Sequence, residues 1–418
     1  MKKLKAIIIG CGQRGITYSN IMKNSSDKFE VVAIAEPIPE RRNYVKEQWE
    51  IPEEMCFEDY NPLFKLGKIA DFVIIANMDR DHFAATMKAI DLKYDILLEK
   101  PIAPTEEECR KLVDSANKNN VRVVICTVLR YTNMFKTLKK VIESGRIGKL
   151  VSINHEECVG NLHFSHSFIR GNWGNTERSS SMLLQKSCHD LDILYWLIGK
   201  KCKSIQSFGS LSYFKEENAP ENAPQYCIEG CPHSEKCPYD AVKVYYDDKK
   251  NAWFRTTATM KPKPTDDDVL YTIKNSQYGK CVYKCDNDVV DRQTVNMIFA
   301  DDILVNFTMN PFNKGGRFIH IMGTKGEIRT ALHNDTPIEI YDFETKKKET
   351  VEMVGSDGIN GGHGGGDTGL INDIYYYFNN KYEGFSVPTI NDSLYSHLLV
   401  FAAEKSRLTN KIIDVSDL

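Results

Sequence analysis

Near the N-terminus an apolar run, Ala6-Ile7-Ile8-Ile9, opens directly into Gly10-Cys11-Gly12-Gln13-Arg14-Gly15. A short buried strand, a glycine turn and a helix that starts on that turn leave few folds open, and the first βαβ unit of a dinucleotide-binding sheet is the one they fit. Gly10 permits the tight turn, Gly12 lets backbone approach a pyrophosphate, and Gly15 lets the helix pack close on the strand. Gln13 and Arg14 open the helix, whose first N–H groups face the phosphates. Glu36 follows the next apolar run, Val31-Val32-Ala33-Ile34-Ala35. An acid there accepts hydrogen bonds from ribose hydroxyls and repels a 2′-phosphate, so NAD is expected. Arg41 and Arg42, just behind it, keep NADP open.

The alternation continues through Phe72-Val73-Ile74-Ile75-Ala76, Ile96-Leu97-Leu98 and Val121-Arg122-Val123-Val124-Ile125, with helical segments at Asp81 to Leu92 and Thr105 to Asn119. This predicts α/β architecture with a doubly wound parallel sheet over 1–128. Beyond it, alternating runs such as Thr294 to Phe299 and Ile303 to Phe307 predict an α+β domain over 129–418 with a large, mostly antiparallel open sheet. That second region carries a polar, Cys-rich insertion at about 216–240. The length of 418 residues suffices for two full cores, and a net charge of -3 without a long basic run argues against nucleic acid. No run approaches the ~18 apolar residues of a membrane span. The first residues read as a strand and not a signal peptide, so the twelve cysteines are expected as cytoplasmic thiols or metal ligands.

A second motif, Glu99-Lys100-Pro101, ends a strand of the first region and places a lysine where open α/β sheets bind ligands. With the glycine motif, Asn77-x-Asp79-x-x-His82, Arg130-Tyr131, Ser144-Gly145-Arg146-Ile147-Gly148, His189-x-x-Asp192 and His363-Gly364-Gly365-Gly366-Asp367, it makes the chain resemble the glucose–fructose oxidoreductase / inositol dehydrogenase / MocA family over nearly its whole length. The resemblance implies a Rossmann domain followed by an α+β domain. It implies NAD(P)-dependent hydride transfer at a carbinol carbon of a sugar, cyclitol or related polyol, and homodimers or homotetramers formed through the sheet. It also implies that Asn77, His82, Glu99, Lys100 and Trp173 border the cofactor, and that Arg130 and His363 lie on the substrate side. Two alternatives stay open: an NAD-dependent glycosidase using transient C3 oxidation and elimination, and a non-catalytic nucleotide-sensing regulator.

Read as helix, the segment from Met182 to Leu197 gathers Gln185, His189, Asp192 and Trp196 into one arc, with Lys186 about 60° from His189. A histidine titrating near neutrality suits removal of a hydroxyl proton, and a nearby lysine can stabilise the developing oxyanion. Lys100, His189 and Lys186 are therefore the catalytic candidates. Gln185 stands where the family pattern has an aspartate, and a neutral amide cannot raise the histidine pKa as a carboxylate would. His166, Arg170, Gln185 and Asp286 are candidate contacts of a polar substrate. Cys227-x3-Cys231-x5-Cys237 with His233 inside it, or with Cys281 or Cys285 as the fourth ligand, suggests a structural zinc; an iron–sulfur cluster or free thiols are the other options.

Overall fold

A computed structural model describes residues 1–332, 336–353, 362–384 and 387–418, the side chain of His363 excepted. The first sheet is built from β1 (Leu4–Ile9), β2 (Phe29–Ala35), β3 (Cys56–Phe57), β4 (Phe72–Ile75), β5 (Asp95–Leu98) and β6 (Val123–Ile125). Its order is β3-β2-β1-β4-β5-β6, and every pairing is parallel. Side chains alternate between two cores, as a doubly covered parallel sheet requires. Ala6 and Ile8 of β1 enter one core, and Ile7 and Ile9 enter the other. The helix Glu106–Asn119 starts where Thr105 accepts a hydrogen bond from the Glu108 N–H and three glutamates occupy the first turn. It stops at Asn120, which adopts the left-handed conformation.

The chain forms two compact units, and the division is not the single cut near 128 that the sequence suggests. One unit comprises Met1–Lys140, Cys188–Leu197 and Met353–Phe401; the other comprises Val141–Ser187, Ile198–Glu352 and Ala402–Leu418. The physical reason is that the parallel sheet lacks helices enough of its own to cover both faces. The C-terminal helix Gly366–Phe378 supplies Leu370, Ile371, Ile374, Tyr375 and Phe378 to the first core, with Tyr375 edge-on to Phe29 at 5.5 Å. Ile390, which begins the helix Ile390–Thr409, enters the second core.

The other unit is organised on β7 (Leu150–Cys158), β8 (Cys202–Ser210), β9 (Arg292–Phe299), β10 (Leu304–Asn310), β11 (Gly316–Gly323), β12 (Gly326–Leu332), β13 (Ile338–Asp342), β14 (Lys348–Val351) and β15 (Ile413–Asp414). The order is β14-β13-β12-β11-β7-β10-β9-β8-β15. Only β7 and β10 run parallel; the other pairs are antiparallel. On β7 the residues Ile153, His155 and Glu157 are buried, while Asn154 and Glu156 between them are exposed. The register places Phe208, Ile298, Leu304 and Phe318 on that same outer face. Each of these four is at least 40% exposed. Among the described residues no helix is long and apolar enough to cross a membrane.

Candidate active site

The strand order reverses between β1 and β4, and ligands of open α/β sheets bind at the carboxyl ends of such strands. Gly10 has φ +86, and a Cβ on it would lie 2.5 Å from the Ala76 carbonyl oxygen. Only glycine fits that turn. A Cβ on Gly12 would meet nothing nearer than Arg41 Nη1 at 3.7 Å, so its backbone is open to a ligand. The helix that follows, Gln13–Lys23, has no side-chain cap, which leaves its first N–H groups for an anion. Glu36 is buried, and its Oε2 accepts the Cys11 N–H at 2.6 Å, which places a carboxylate against the turn. The side-chain oxygen of Asn77 is buried with no hydrogen-bond partner among the described residues. These features fit NAD. The open backbone at Gly12 and the helix start would hold the pyrophosphate, Glu36 a ribose, and Asn77 a further polar group.

Arg14, grouped with the cofactor contacts in the sequence, belongs to a different arrangement. Its Nε donates to Glu99 Oε1 at 2.6 Å, and its Nη atoms reach both oxygens of Asp367 at 2.6 and 3.1 Å. Tyr18 donates to the same Glu99 oxygen. Burial opposes the charge on Glu99, but Arg14 and Lys100 outweigh it and hold the carboxyl below the usual range. His82 is buried and its Nδ1 lies 2.7 Å from the Pro101 carbonyl oxygen. Arg14 and His82 thus brace the Glu99-Lys100-Pro101 turn from two sides, a positioning role that the motif spacing does not reveal.

Lys100 lies in the same compact unit as the glycine turn, and so does His189. The Lys100 charge is felt at Cys188, one residue before His189. Burial pushes that thiol up to about 12, and Lys100 works in the opposite direction. His189 is on the helix Met182–Ile198 and is 5% exposed. An ammonium just beyond β5 and an imidazole in the same compact unit have the two functions that carbinol oxidation needs: charge stabilisation at the oxygen and removal of its proton.

The substrate contacts expected from sequence are largely engaged elsewhere. Arg130 is buried and forms a two-pronged ion pair with Asp192, Nε to Oδ2 at 2.7 Å and Nη2 to Oδ1 at 2.5 Å. Burial opposes the Arg130 charge and Asp192 outweighs it, raising the pKa. Arg170 is buried and donates to the carbonyls of Lys280 at 2.8 Å and Tyr239 at 2.7 Å. Asp286 pairs with Arg178. Gln185 is buried and donates to Ser180 Oγ at 2.8 Å. Trp173 stands half-buried beside Phe168, and the side chain of His363 lies outside the described residues. Lys186 approaches Glu157 Oε1 at 3.4 Å. Glu157 and Arg317, which also grips it, have no motif to betray them; the inward phase of Glu157 on β7 is the one sequence signal.

A family model described as oxidoreductase family, NAD-binding Rossmann fold, matches residues 4–127, and its companion, the C-terminal alpha/beta domain, matches residues 139–415. The chain belongs to the Gfo/Idh/MocA oxidoreductase family. It is an NAD-binding oxidoreductase of that family. It is 24% identical over 401 residues to the putative oxidoreductase YteT of Bacillus subtilis strain 168, covering 88% of each chain. It is 25% identical over 206 residues to the inositol 2-dehydrogenase of Salmonella typhimurium strain LT2, covering 49% of this chain and 57% of that one. The match therefore spans little more than half of that enzyme. Among solved structures, a levoglucosan dehydrogenase in complex with NADH and levoglucosan superposes with a TM-score of 0.73 at 16% identity over 100% of both chains.

Two further features of this Gfo/Idh/MocA member lie in the unit that carries the mostly antiparallel sheet. The first is an aromatic cage around His166, formed by Tyr245, Trp253, Phe254 and Tyr278 with ring centroids 4.6 to 5.6 Å away. Its Nδ1 lies 3.0 Å from the Tyr245 hydroxyl. Its side chain is fully buried among these rings, and burial, aided by Arg170, drives its pKa down to about 3. A histidine takes up a proton near pH 6.5 when unfolded, so the unfolded chain binds more protons than the folded one between about pH 6.5 and 3. His166 therefore withdraws stability as pH falls through that window. Urea midpoints measured from pH 7 to 4 are expected to fall less steeply in His166→Phe than in the wild type.

The second feature is the cysteine insertion. The zinc grouping expected from Cys227, Cys231, Cys237 and His233 is not assembled: His233 Nε2 lies 2.7 Å from the Glu221 carbonyl oxygen. Among the described residues no three His, Cys, Asp or Glu side chains are arranged to hold an ion. Arg170 lines the same small cavity and donates to Cys227 Sγ at 3.6 Å, so a fixed cation already stands among the thiols. Burial pushes the Cys227 and Cys237 thiols up, with Arg170 working the other way.

Proposed function

We propose that this oxidoreductase is an NAD-dependent dehydrogenase transferring a hydride between its cofactor and a carbinol carbon of a sugar, cyclitol or related polyol. The observation that carries the proposal is the presence of Lys100 and His189 in one compact unit with the glycine turn. The names of the relatives, an inositol 2-dehydrogenase and a levoglucosan dehydrogenase, support the same substrate class. Bound NAD supplies the hydride acceptor. His189 takes the hydroxyl proton as the carbonyl forms, and Lys100 stabilises the negative charge on that oxygen. Glu36, whose carboxylate faces the turn, supports NAD over NADP.

The test is absorbance at the NADH band after mixing the protein and NAD with sugars, cyclitols and aryl glycosides. Growth of NADH with a sugar or cyclitol is the expected result. Aglycone release without lasting NADH would replace this function with the elimination reaction.

A second copy of the chain is the proposed partner of the outer sheet face. Phe208, Ile298, Leu304 and Phe318 expose apolar side chains on that face among Thr294, Thr308 and Glu156, and the second copy would cover them. Light scattering of the purified protein is expected to give a dimer or tetramer, and the double variant Leu304→Lys/Phe318→Lys a monomer.

A further inference from the structure

The turn that carries Lys100 depends on side chains from beyond the sheet. Glu99 is still in register, its N–H donating to the Ile75 carbonyl oxygen of β4 at 2.9 Å. The Lys100 N–H donates to Glu99 Oε2 at 3.0 Å. Pro101 has no N–H, and its carbonyl oxygen lies 2.7 Å from His82 Nδ1. The Ile102 N–H donates to Nε2 of His397 at 3.1 Å. His397 is 295 residues away in the chain, on the helix Ile390–Thr409, and lies in the same compact unit as Lys100 and the glycine turn.

The tautomer of His397 follows from its neighbours. Its Nδ1 lies 2.8 Å from the Ser393 carbonyl oxygen, which only accepts, so Nδ1 carries the hydrogen. Nε2 keeps a lone pair, which is what the Ile102 N–H requires. His82 meets the turn in the opposite sense: facing a carbonyl, its Nδ1 donates. One histidine thus holds an acceptor of the turn and the other holds a donor. His397, Ser393 and Ile102 are all fully buried. Burial pushes the His397 pKa down to about 4, with the Lys100 charge acting the same way against the Ser393 carbonyl and Asp192. At neutral pH the ring therefore keeps its lone pair. A buried N–H without this acceptor would have no water to turn to, and leaving it unmet is costly. The turn would shift to find another partner, and Lys100 stands two residues away.

We propose that His397 is a positioning residue of the reaction: by accepting the Ile102 N–H it fixes the turn on which the Lys100 ammonium meets the reacting oxygen. The proposal rests on the dehydrogenase function above, in which Lys100 stabilises the charge on that oxygen.

Two variants separate position from stability. His397→Phe keeps a flat ring in the core and removes the acceptor. His397→Gln carries an amide oxygen that reaches the place of Nε2. Amide hydrogen exchange over residues 99–103 is expected to quicken in His397→Phe by roughly tenfold or more, with β1 unchanged, and to return toward the wild-type rate in His397→Gln. Oxidation of the sugars and cyclitols of the absorbance test, levoglucosan and inositol among them, is measured on the same samples, per NADH-binding site counted by fluorescence titration. In His397→Phe, kcat is expected to fall roughly 10- to 100-fold with NADH affinity nearly unchanged, and His397→Gln to recover much of the loss. A role in stability alone would lower the thermal midpoint and leave kcat per site as it was, and that result overturns the proposal. So does exchange that is unchanged, or that quickens equally in β1. If the wild type oxidises none of the compounds, the dehydrogenase function falls and takes this role with it, whereas unchanged exchange in an active enzyme removes this proposal alone.

Discussion

Lys100→Met is expected to lower kcat for sugar or polyol oxidation by roughly 10²–10⁴-fold, with NADH binding nearly unchanged. The asymmetry follows from where the residue sits. Its backbone N–H donates to Glu99 Oε2 at 3.0 Å, and the turn around it is braced by Arg14, Tyr18 and His82, none of which needs the ammonium. The pyrophosphate end, at Gly10 and Gly12, is built by other segments. On the proposed function, what methionine removes is a positive charge at the oxygen that turns from hydroxyl to carbonyl. Stopped-flow turnover beside fluorescence titration of NADH separates the two effects. A loss of cofactor binding equal to the loss of rate would assign Lys100 to holding the nucleotide.

Arg130→Met is expected to destabilise the unit that carries the parallel sheet by about 3–5 kcal/mol, because it leaves Asp192 charged and buried without its partner. Ser396 also reaches Asp192 Oδ1, at 3.3 Å, so the pair ties the segment after Leu129, the helix Met182–Ile198 and the helix Ile390–Thr409 together. The double variant Arg130→Met/Asp192→Leu is expected to regain much of the loss, since two apolar side chains need no counter-charge. Thermal unfolding of both variants, with KM measured alongside, decides between this structural role and the substrate contact implied by family resemblance. Unchanged stability with a raised KM would restore Arg130 to the substrate.

The glycine turn and the strand alternation were legible in the sequence because their constraints are local. A turn that excludes Cβ and runs of apolar residues between helices say the same thing at every scale. Thr105 marked the start of one helix for an equally local reason. The destinations of Arg14, Arg130 and Arg170 were not legible, because an arginine in a motif looks the same whether it meets phosphate, Asp192 or a backbone carbonyl. Asp367, Asp192 and Tyr239, which accept from them, lie 353, 62 and 69 residues away in the chain. The cysteine spacing misled for a related reason. Spacing shows which thiols can approach one another, and it does not show that Arg170 comes from outside the insertion to stand among them. Glu157 and Arg317 were invisible as a pair because β7 and β11 meet only once the sheet has formed.

Hydride transfer between NAD and a carbinol carbon leaves an isotopic trace. The protein would be incubated with NADH deuterated at C4 of the nicotinamide and a panel of keto-sugars, keto-uronates and inososes, and the alcohol products weighed by mass spectrometry. A product one mass unit heavier is expected for at least one member, with the label on the new carbinol carbon and with no such product in Lys100→Met over the same time. Alcohol products that carry no deuterium, or the absence of any alcohol product from a protein that binds NADH, would contradict it.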